Sequence, residues 1–598
     1  MKKFIFYFLN IMDSEDKKNF FRYLIVLFFC SAFSILGIGA VVPFISLLIQ
    51  PDKIMSFSLT KSWSYHELII FFTALLVFTF CIKNIVALWL LNYQSKFLFN
   101  LTAKIQKKLF NGYMTAPYEY HLNRDTPNLI KIVNNETTVF SNNIVAPLGS
   151  FLTESFSSIF VIILLFFLSP VFTSLVAIFL GLGVFVFMKG IKNRIDFYGK
   201  ERSKAWSSMT ENVLDGLTGI KETKLYHVEE TFLNGFKRNA NTLKVSSAFQ
   251  LTYQQAPRML IEFIGLTVVM CVLCGFVLSG EPPQNMFVLL GVFGVAASQL
   301  LPSLNRLTQA LVQIRYGTPA LESIHEELSQ IESLNLKKLK QSKSIKPCFK
   351  SSIKLKNFHY SYSNGTNAIN NVSINLYKNK KIAFVGESGA GKTTLVDLII
   401  GMYEPSVGKI EVDGQPINSD KEKLEYQKLF AYIPQTIVLY NKSVRENIAF
   451  GINENMIDDQ LVKECLKAAQ LSDFIENLDK KEFSLIGESG VRLSGGQRQR
   501  LGIARALYRQ PDILVMDEAT SALDNKTEKE VTDVISKLPN LTIITIAHRL
   551  STIKNYDIIN VMQSGRLIST GTYNELLEKC EVFSKMAMYD KTKADILD

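Results

Sequence analysis

The sequence has 598 residues, of which 48% are hydrophobic and 43 are phenylalanine, and its mean hydropathy is positive. This length exceeds one soluble domain, and the long apolar runs behind the hydrophobic content exclude two ordinary soluble domains. The formal net charge of +11 does not predict a nucleic-acid partner. Much of the cationic excess lies in loops between apolar runs, where membrane orientation and anionic lipids account for it.

Residues 1–12 predict an amphipathic helix that lies on the inner surface of a membrane. Lys2 and Lys3 precede the apolar run Phe4–Leu9, which superficially imitates a secretion signal. No small-residue cleavage site follows, and the next segment, Asp13–Lys18, is charged. A cleaved signal peptide is therefore not predicted.

Six apolar stretches are long enough to cross a hydrocarbon core of about 30 Å, which requires about 20 helical residues. They are residues 21–49, 68–92, 145–168, 171–190, 257–279 and 285–312. The long connections 93–144 and 191–256 are rich in lysine and arginine, so the positive-inside rule places them in the cytosol with the N-terminus. They lack turn-rich composition over most of their length, which predicts helices that continue well beyond the bilayer.

Five charged residues fall within these spans: Lys83, Glu154, Arg258, Glu262 and Arg306. Charges in spans usually face a bundle interior or a water-filled path, because facing lipid costs several kcal/mol. The three cations are therefore the candidate contacts for an anionic headgroup whose lipid tail stays in the bilayer. Two alternatives remain: Arg258 and Arg306 could snorkel to the inner surface, and Arg258 could pair with Glu262 at i, i+4.

A polar linker is predicted at 318–349, which contains a lysine-rich stretch and Pro347. It divides the chain into a membrane domain at 1–317 and a second domain at 350–590, followed by a C-terminal tail at 591–598.

The second domain contains a phosphate-binding loop between the strand Ile382–Val385 and the apolar run Leu395–Ile400. Glycines allow backbone N–H groups to turn towards phosphates, the helix N-terminus adds partial positive charge, and Lys392 adds a full one. The Thr393 hydroxyl is placed to bind Mg²⁺. The predicted nucleotide contacts in this loop are Gly386, Glu387, Ser388, Gly389, Ala390, Gly391, Lys392, Thr393 and Thr394.

A second apolar strand, Ile513–Met516, ends in two carboxylates, Asp517 and Glu518. We predict that Asp517 binds Mg²⁺ and that Glu518 polarises the attacking water. The alternative is that the two carboxylates only cap a helix N-terminus. The strand-like run Ile543–Arg549 further along the chain argues against that alternative.

Residues 350–590 resemble the nucleotide-binding domain of ATP-binding cassette (ABC) transporters, with the motifs of that family in order. The resemblance implies that Tyr362 stacks on adenine, that Gln435 binds Mg²⁺ and couples the site, and that His548 senses the γ-phosphate. It also implies that Asp524 carries signals across a dimer. The implied catalytic residues are Lys392, Gln435, Glu518 and His548.

The same resemblance implies that the signature residues Ser494, Gly495, Gly496 and Gln497 bind nucleotide. Ser494 and Gly496 would contact the γ-phosphate of ATP bound to the opposite subunit. The chain has one phosphate loop and one signature, so the expected partner is a second copy of the same chain, with ATP and Mg²⁺ at two equivalent, active sites.

The predicted fold class is therefore an α-helical transmembrane domain with six spans and the type IV ABC exporter fold, fused to an α/β P-loop ABC ATPase domain. That architecture implies short coupling helices at the tips of the cytosolic loops, with Ala116–Thr126 and Gly219–Val228 as candidates.

The membrane half is similar to flippases of polyprenyl-pyrophosphate-linked oligosaccharides through Val41–Ile45, Ala256–Arg258 with Glu262, and Leu301–Arg306. That group carries a short external helix after the first span, which fits 50–67. The resemblance implies an ATP-driven flippase in the cytoplasmic membrane, with membrane lipids and a lipid-linked glycan as partners.

Other functions stay open at this point. Lipid A flippases, peptide exporters and multidrug exporters share the scaffold, and a nucleotide-gated channel or regulatory subunit is a further alternative. The six spans exclude a soluble cassette ATPase of DNA repair or translation.

Overall fold

A computed structural model describes residues 2–49, 63–168, 170–279, 283–334, 349–487, 490, 493–518, 525–536, 538, 540–547 and 549–595. The chain divides into two compact units, Met1–Ala116 with Tyr120–Leu339 and Pro117–Glu119 with Lys340–Asp598. The predicted external helix at 50–67 lies largely outside the described residues.

The first unit is helical. Its helices are α1 (Lys2–Ile11), α2 (Ser14–Ile49), α3 (Tyr65–Thr115), α4 (Tyr118–Leu122, which begins in the second unit), α5 (Thr126–Lys131), α6 (Thr137–Phe140), α7 (Ala146–Leu168), α8 (Pro170–Thr218), α9 (Ile220–Leu225), α10 (Glu229–Ser279) and α11 (Pro283–Ser333). Two π-helical segments, Ile132–Glu136 and Ser141–Val145, connect α5, α6 and α7.

The six predicted spans coincide with the six long helices α2, α3, α7, α8, α10 and α11. Among the described residues, three helical stretches could cross a membrane by length and composition: Tyr65–Thr115, Thr126–Phe167 and Thr173–Thr218. Helices α3, α10 and α11 each have 51 residues, about 75 Å at 1.5 Å per residue. They therefore extend well past a hydrocarbon core, as predicted. Helix α11 also continues to Ser333, so the first part of the predicted linker is helical.

Helix α1 is amphipathic, as its sequence predicts. Phe8, Ile11 and Met12 are buried against the bundle, whereas Ile5 and Phe6 are exposed. The exposed apolar face suits contact with a membrane surface.

A buried ion pair joins two of the helical extensions outside the predicted spans. Arg202 on α8 donates from Nη2 to Glu136 Oε2 at 2.9 Å, and both side chains are less than 5% exposed. Ser203 donates to the other carboxylate oxygen at 2.7 Å, and the Tyr316 ring lies 5.8 Å from the guanidinium. Both charges are removed from water, so loss of either side chain would leave the other charge buried without its partner.

The second unit contains two sheets. Its strands are β1 (Ser352–Ser361), β2 (Asn367–Tyr377), β3 (Lys381–Val385), β4 (Val407–Val412), β5 (Gln415–Pro416), β6 (Phe430–Ile433), β7 (Ile513–Asp517), β8 (Thr542–Ile546), β9 (Ile558–Gln563) and β10 (Arg566–Gly571). Its helices are α12 (Lys392–Ile399), α13 (Asp420–Gln427), α14 (Val444–Ile448), α15 (Asp459–Ala468), α16 (Ser472–Glu476), α17 (Gly495–Tyr508), α18 (Asn525–Ser536), α19 (Tyr573–Lys579) and α20 (Glu581–Asp595).

The larger sheet has the order β10-β9-β3-β8-β7-β6, and the smaller antiparallel sheet has the order β2-β1-β4-β5. Strands β9, β3, β8, β7 and β6 are parallel. Helices and loops cover both faces of such a sheet, so its strands have apolar side chains on both faces. The carboxyl ends of parallel strands lie at one edge, so the residues that follow β3, β6 and β7 meet there.

Candidate nucleotide-binding and catalytic site

The phosphate loop joins β3 to α12 and requires glycine at two positions. Gly386 has φ +154°, and a Cβ there would lie 2.2 Å from the Met562 carbonyl oxygen. Gly391 has φ +92° and would meet the Ala368 carbonyl at 2.7 Å. Only glycine allows both the conformation and the close backbone approach.

Lys392 lies inside this loop with its side chain buried. Its Nζ donates to the carbonyl oxygens of Gly386 and Glu387 at 2.8 and 2.9 Å. Burial lowers the pKa of the Lys392 ammonium, and the charges of Glu518 and Asp517 oppose that shift. The cation and the two predicted carboxylates therefore belong to one electrostatic site. Thr393 is exposed on the first turn of α12.

The predicted catalytic carboxylate and glutamine come together at the ends of β7 and β6. Gln435 Nε2 donates to Glu518 Oε2 at 2.9 Å. Glu518 has φ +49°, a left-handed conformation that costs about 1–3 kcal/mol outside glycine and is typical of functional sites. The carboxylate is thus held at a defined position by its strand end and by the Gln435 amide.

Three residues of this site were not predicted from the sequence. Tyr432 donates its hydroxyl to Asp517 Oδ2 at 3.1 Å, and Gln499 on α17 donates to the Glu518 carbonyl at 3.3 Å. Asp397 on α12 has a pKa raised to about 7, mainly by burial and also by the charge of Asp517. For Tyr432 the available signal was its position three residues before the predicted Gln435.

Tyr362, the predicted adenine contact, lies against the phosphate-loop helix. Its hydroxyl is 2.7 Å from the Thr394 hydroxyl, and its ring packs edge-on to the rings of Tyr360 and Tyr403 at 5.2 and 6.0 Å. An aromatic face beside the loop fits a base bound next to its phosphates, and the stacking itself stays a prediction.

The signature residues begin helix α17. Ser494 is the N-cap, its hydroxyl accepts from the Gln497 N–H at 3.2 Å, and the Gln497 side chain accepts from the Ser494 N–H at 2.8 Å. Ser494 and Gly495 are exposed. The start of a 14-residue helix carries partial positive charge suited to an anion. His548 and Asp524 lie outside the described residues, so their roles stay predictions.

Both predicted coupling segments contain a short helix, α4 and α9. The residues Pro117–Glu119 group with the second unit. Within that unit the Tyr118 ring lies 5.8 Å from the Tyr403 ring, and the Tyr360 hydroxyl donates to Glu119 at 3.3 Å. The tyrosines that contact Tyr362 therefore also contact Tyr118 and Glu119 of the same unit.

The charges predicted within the membrane spans form two groups. Arg258 pairs with Glu262 at 2.7 Å, so the predicted pairing alternative is present. Arg306 pairs with Glu154 across two helices, and Lys83 interacts electrostatically with both. The second group has two cations and one anion, a net charge of +1 per chain. Whether these residues contact substrate stays a prediction.

The oxygen ligands expected for Mg²⁺ fit the residues present. The Thr393 hydroxyl, the Asp517 carboxylate and the Gln435 amide oxygen are hard donors, and the Gln435 nitrogen is the atom that contacts Glu518. The described residues contain no group of three His, Cys, Asp or Glu side chains that could hold a metal. A few protein oxygens plus nucleotide phosphates is the usual arrangement for Mg²⁺.

Known proteins match both units. The family profile described as "ABC transporter transmembrane region" matches residues 24–301, and the profile described as "ABC transporter" matches residues 369–521. An "ATP-dependent lipid A-core flippase" of Cupriavidus metallidurans is 30% identical over 485 residues, 80% of this chain and 80% of that protein. The chain belongs to the ABC transporter family. Its fold is a helical transmembrane region fused to an α/β ATPase domain, as predicted.

Two other relatives match shorter parts of this ABC transporter. A lipid A-core flippase of Saccharophagus degradans is 37% identical over 296 residues, 49% of each chain. A lactococcin-G-processing and transport ATP-binding protein of Lactococcus lactis is 31% identical over 406 residues, 67% of this chain and 56% of that protein. The chain thus spans about half the length of these two relatives.

A solved structure shares the fold along nearly the whole chain. A bacterial Atm1-family ABC exporter with ATP bound superposes with a TM-score of 0.77 at 21% identity, covering 94% of this chain and 97% of that one.

Proposed function

We propose that this transporter uses ATP and Mg²⁺ to flip an anionic amphiphile from the cytosolic to the outer leaflet of the cytoplasmic membrane, as a homodimer. A polyprenyl-pyrophosphate-linked oligosaccharide is the proposed substrate. The observation that carries the proposal is the group of Lys83, Arg306 and Glu154, which places a net positive charge within the predicted spans.

The arrangement of these charges supports recognition of phosphate. Charged residues within membrane helices are costly and tend to mark substrate paths. A guanidinium held by one carboxylate, as in Arg306–Glu154, can exchange that partner for a phosphate, which it can bind through two N–H groups. The exporters that prefer apolar drugs would gain nothing from such a group.

Lipid A-core is the second candidate substrate. Relatives named lipid A-core flippase align over about four-fifths of the chain at 28–30% identity. The phosphates of lipid A present the same anionic chemistry to Lys83 and Arg306, so the two candidates differ in lipid and glycan rather than in charge.

Transport in proteoliposomes tests the proposal. We expect ATP-dependent flipping of a polyprenyl-pyrophosphate oligosaccharide or of lipid A-core, and no flipping of a neutral drug or a peptide. Replacing Lys83, Arg258 and Arg306 together by glutamine should reduce the transport rate by at least about tenfold, whereas Lys192→Gln on an exposed face of α8 should have no effect. Parent-level transport in the triple variant would overturn the anionic-headgroup proposal.

A further inference from the structure

Two cavities lie side by side within the first unit. The apolar chamber has a volume of about 330 Å³ and is lined by Leu165, Val176, Leu180, Leu266, Ala296 and Leu300. The polar chamber has a volume of about 370 Å³ and is lined by Arg258, Ile261, Ser298, Pro302 and Asn305. Glu262, Ala297 and Leu301 line both. The two chambers therefore adjoin each other at these three residues, and each has the size of a ligand pocket.

The polar chamber offers groups that a headgroup could bind. The Arg258–Glu262 pair is more than half exposed to it or to solvent, so an incoming anion can reach the guanidinium. The side-chain oxygen of Asn305 is buried, and no hydrogen-bond donor contacts it. A phosphate accepts hydrogen bonds and has no hydrogen to give this oxygen, so the group of Asn305 that would serve an anionic headgroup is its amide N–H.

Apart from Glu262, the residues that line the apolar chamber have no polar side chain. A Cβ at Gly265 would lie 3.0 Å from Leu301, one of the shared residues. Glycine at this position therefore leaves room where the two chambers meet.

Helices α10 and α11 both show on which side of the apolar chamber the polar chamber lies. On α10 the polar Arg258 precedes the apolar Leu266 by eight residues, about 12 Å. On α11 the polar Asn305 follows the apolar Ala296 by nine residues, about 13 Å. The two helices run in opposite directions across the predicted membrane, so both place the polar chamber on the side of the long, cationic connections.

That direction matches a lipid of the cytosolic leaflet. Such a lipid has its headgroup on the cytosolic side and its chain directed to the bilayer centre. The polar chamber is on the cytosolic side of the apolar one, given the predicted topology.

We propose that the two chambers form one site for a single amphiphile, whose anionic headgroup binds at Arg258 and Asn305 and whose hydrocarbon chain enters the apolar chamber. This rests on the proposed function and deepens it, because part of the chain is held within the helices of one subunit instead of remaining in the bilayer. A bilayer lipid that fills the groove without selectivity is the competing occupant.

Binding to the full-length protein in nanodiscs tests the site with four probes. They are undecaprenyl pyrophosphate, its short-chain analogue geranyl pyrophosphate, inorganic pyrophosphate and neutral undecaprenol. We expect undecaprenyl pyrophosphate to bind at least about tenfold more tightly than each of the others, which corresponds to about 1.4 kcal/mol. Equal binding of the neutral lipid would identify a nonselective bilayer groove and overturn the site.

A graded series of substitutions locates the chain. Gly265→Ala, Ala296→Leu and Ala296→Phe should weaken binding of the long-chain probe progressively, by at least about tenfold at Phe, and leave the weak binding of inorganic pyrophosphate unchanged. Ile178→Phe, on an exposed face of α8 outside both chambers, is the matched control and should bind like the parent. The mild members of the series keep the test valid if Ala296→Phe fails to fold.

The outcomes separate the site from the function. Unchanged affinity across the series, with flipping intact, overturns the two-chamber site and leaves the proposed transport standing. Failure of the parent protein to flip any anionic amphiphile overturns the proposed function itself.

Discussion

Glu518→Gln is the substitution that most directly tests the catalytic assignment. Glutamine has the same length as glutamate and keeps an oxygen that can accept from Gln435, which is 2.9 Å away in the parent. The backbone contact with Gln499 and the left-handed φ of +49° need not change. The substitution therefore removes the charge that takes a proton from water and leaves the site geometry in place.

The expected loss follows from the role of a general base. Such a group typically contributes a factor of about 10²–10⁴ in rate, which is about 2.7–5.4 kcal/mol of activation free energy at about 1.36 kcal/mol per factor of ten. The substitution leaves the charge of Asp517, which also acts on Lys392, in place. The affinity for ATP should therefore change by less than about tenfold.

Phosphate release at saturating ATP and Mg²⁺, with nucleotide binding measured in parallel, checks this prediction. We expect kcat to fall by about 10²–10⁴ while ATP remains bound and holds the dimer closed. Glu476→Gln, on the exposed end of α16, is the matched control and should hydrolyse ATP at the parent rate. Hydrolysis by Glu518→Gln at the parent rate would refute the assignment of the general base.

Three further predictions concern binding and stability. Gly386→Ala should abolish nucleotide binding because its Cβ collides with backbone. Gly365 also has a positive φ but open space around it, so Gly365→Ala should still bind ATP. Equal binding by both variants would contradict the fit of the loop. Glu136→Gln and Arg202→Met should each lower the free energy of unfolding by about 3–5 kcal/mol, measured by thermal unfolding. The double variant should recover part of that loss, and additive losses would contradict the pairing. The pKa of Asp397 is raised in the folded protein to about 7, so the folded state binds the proton more tightly and its stability falls as pH rises from about 4 to about 7. Asp397→Asn should therefore raise the unfolding temperature more at about pH 8 than at about pH 5, and an equal effect at both would contradict the shift.

The nucleotide site could be predicted largely from the sequence because its chemistry depends on local features. Glycines at the required backbone positions and carboxylates at a strand end identify Gly386, Gly391, Asp517 and Glu518 without knowledge of the whole fold. The parallel sheet then brings Gln435 to Glu518, as the family resemblance implies. Tyr432 was missed because its hydroxyl contact depends on which neighbour β6 has in the sheet, and on its side-chain direction.

The membrane half was less predictable. The positions of the long helices follow from hydropathy and length. The pairing of Arg306 with Glu154, 152 positions apart, depends on how α7 and α11 pack, and no periodicity in either helix specifies it. The two chambers likewise depend on four helices at once, so the sequence indicated charges within spans without showing their partners.

The central claim is that each ATP site is completed by two copies of the chain. Mixed dimers of Lys392→Ala and Ser494→Ala chains, isolated with two different affinity tags, test it most directly. Each homodimer should hydrolyse ATP poorly, by a factor of about 10² or more, because every site contains one defect. The mixed dimer should recover hydrolysis, because one of its sites combines an intact phosphate loop from one chain with an intact signature from the other. Mixed dimers no more active than the two homodimers would show that the sites are not shared and would contradict the account.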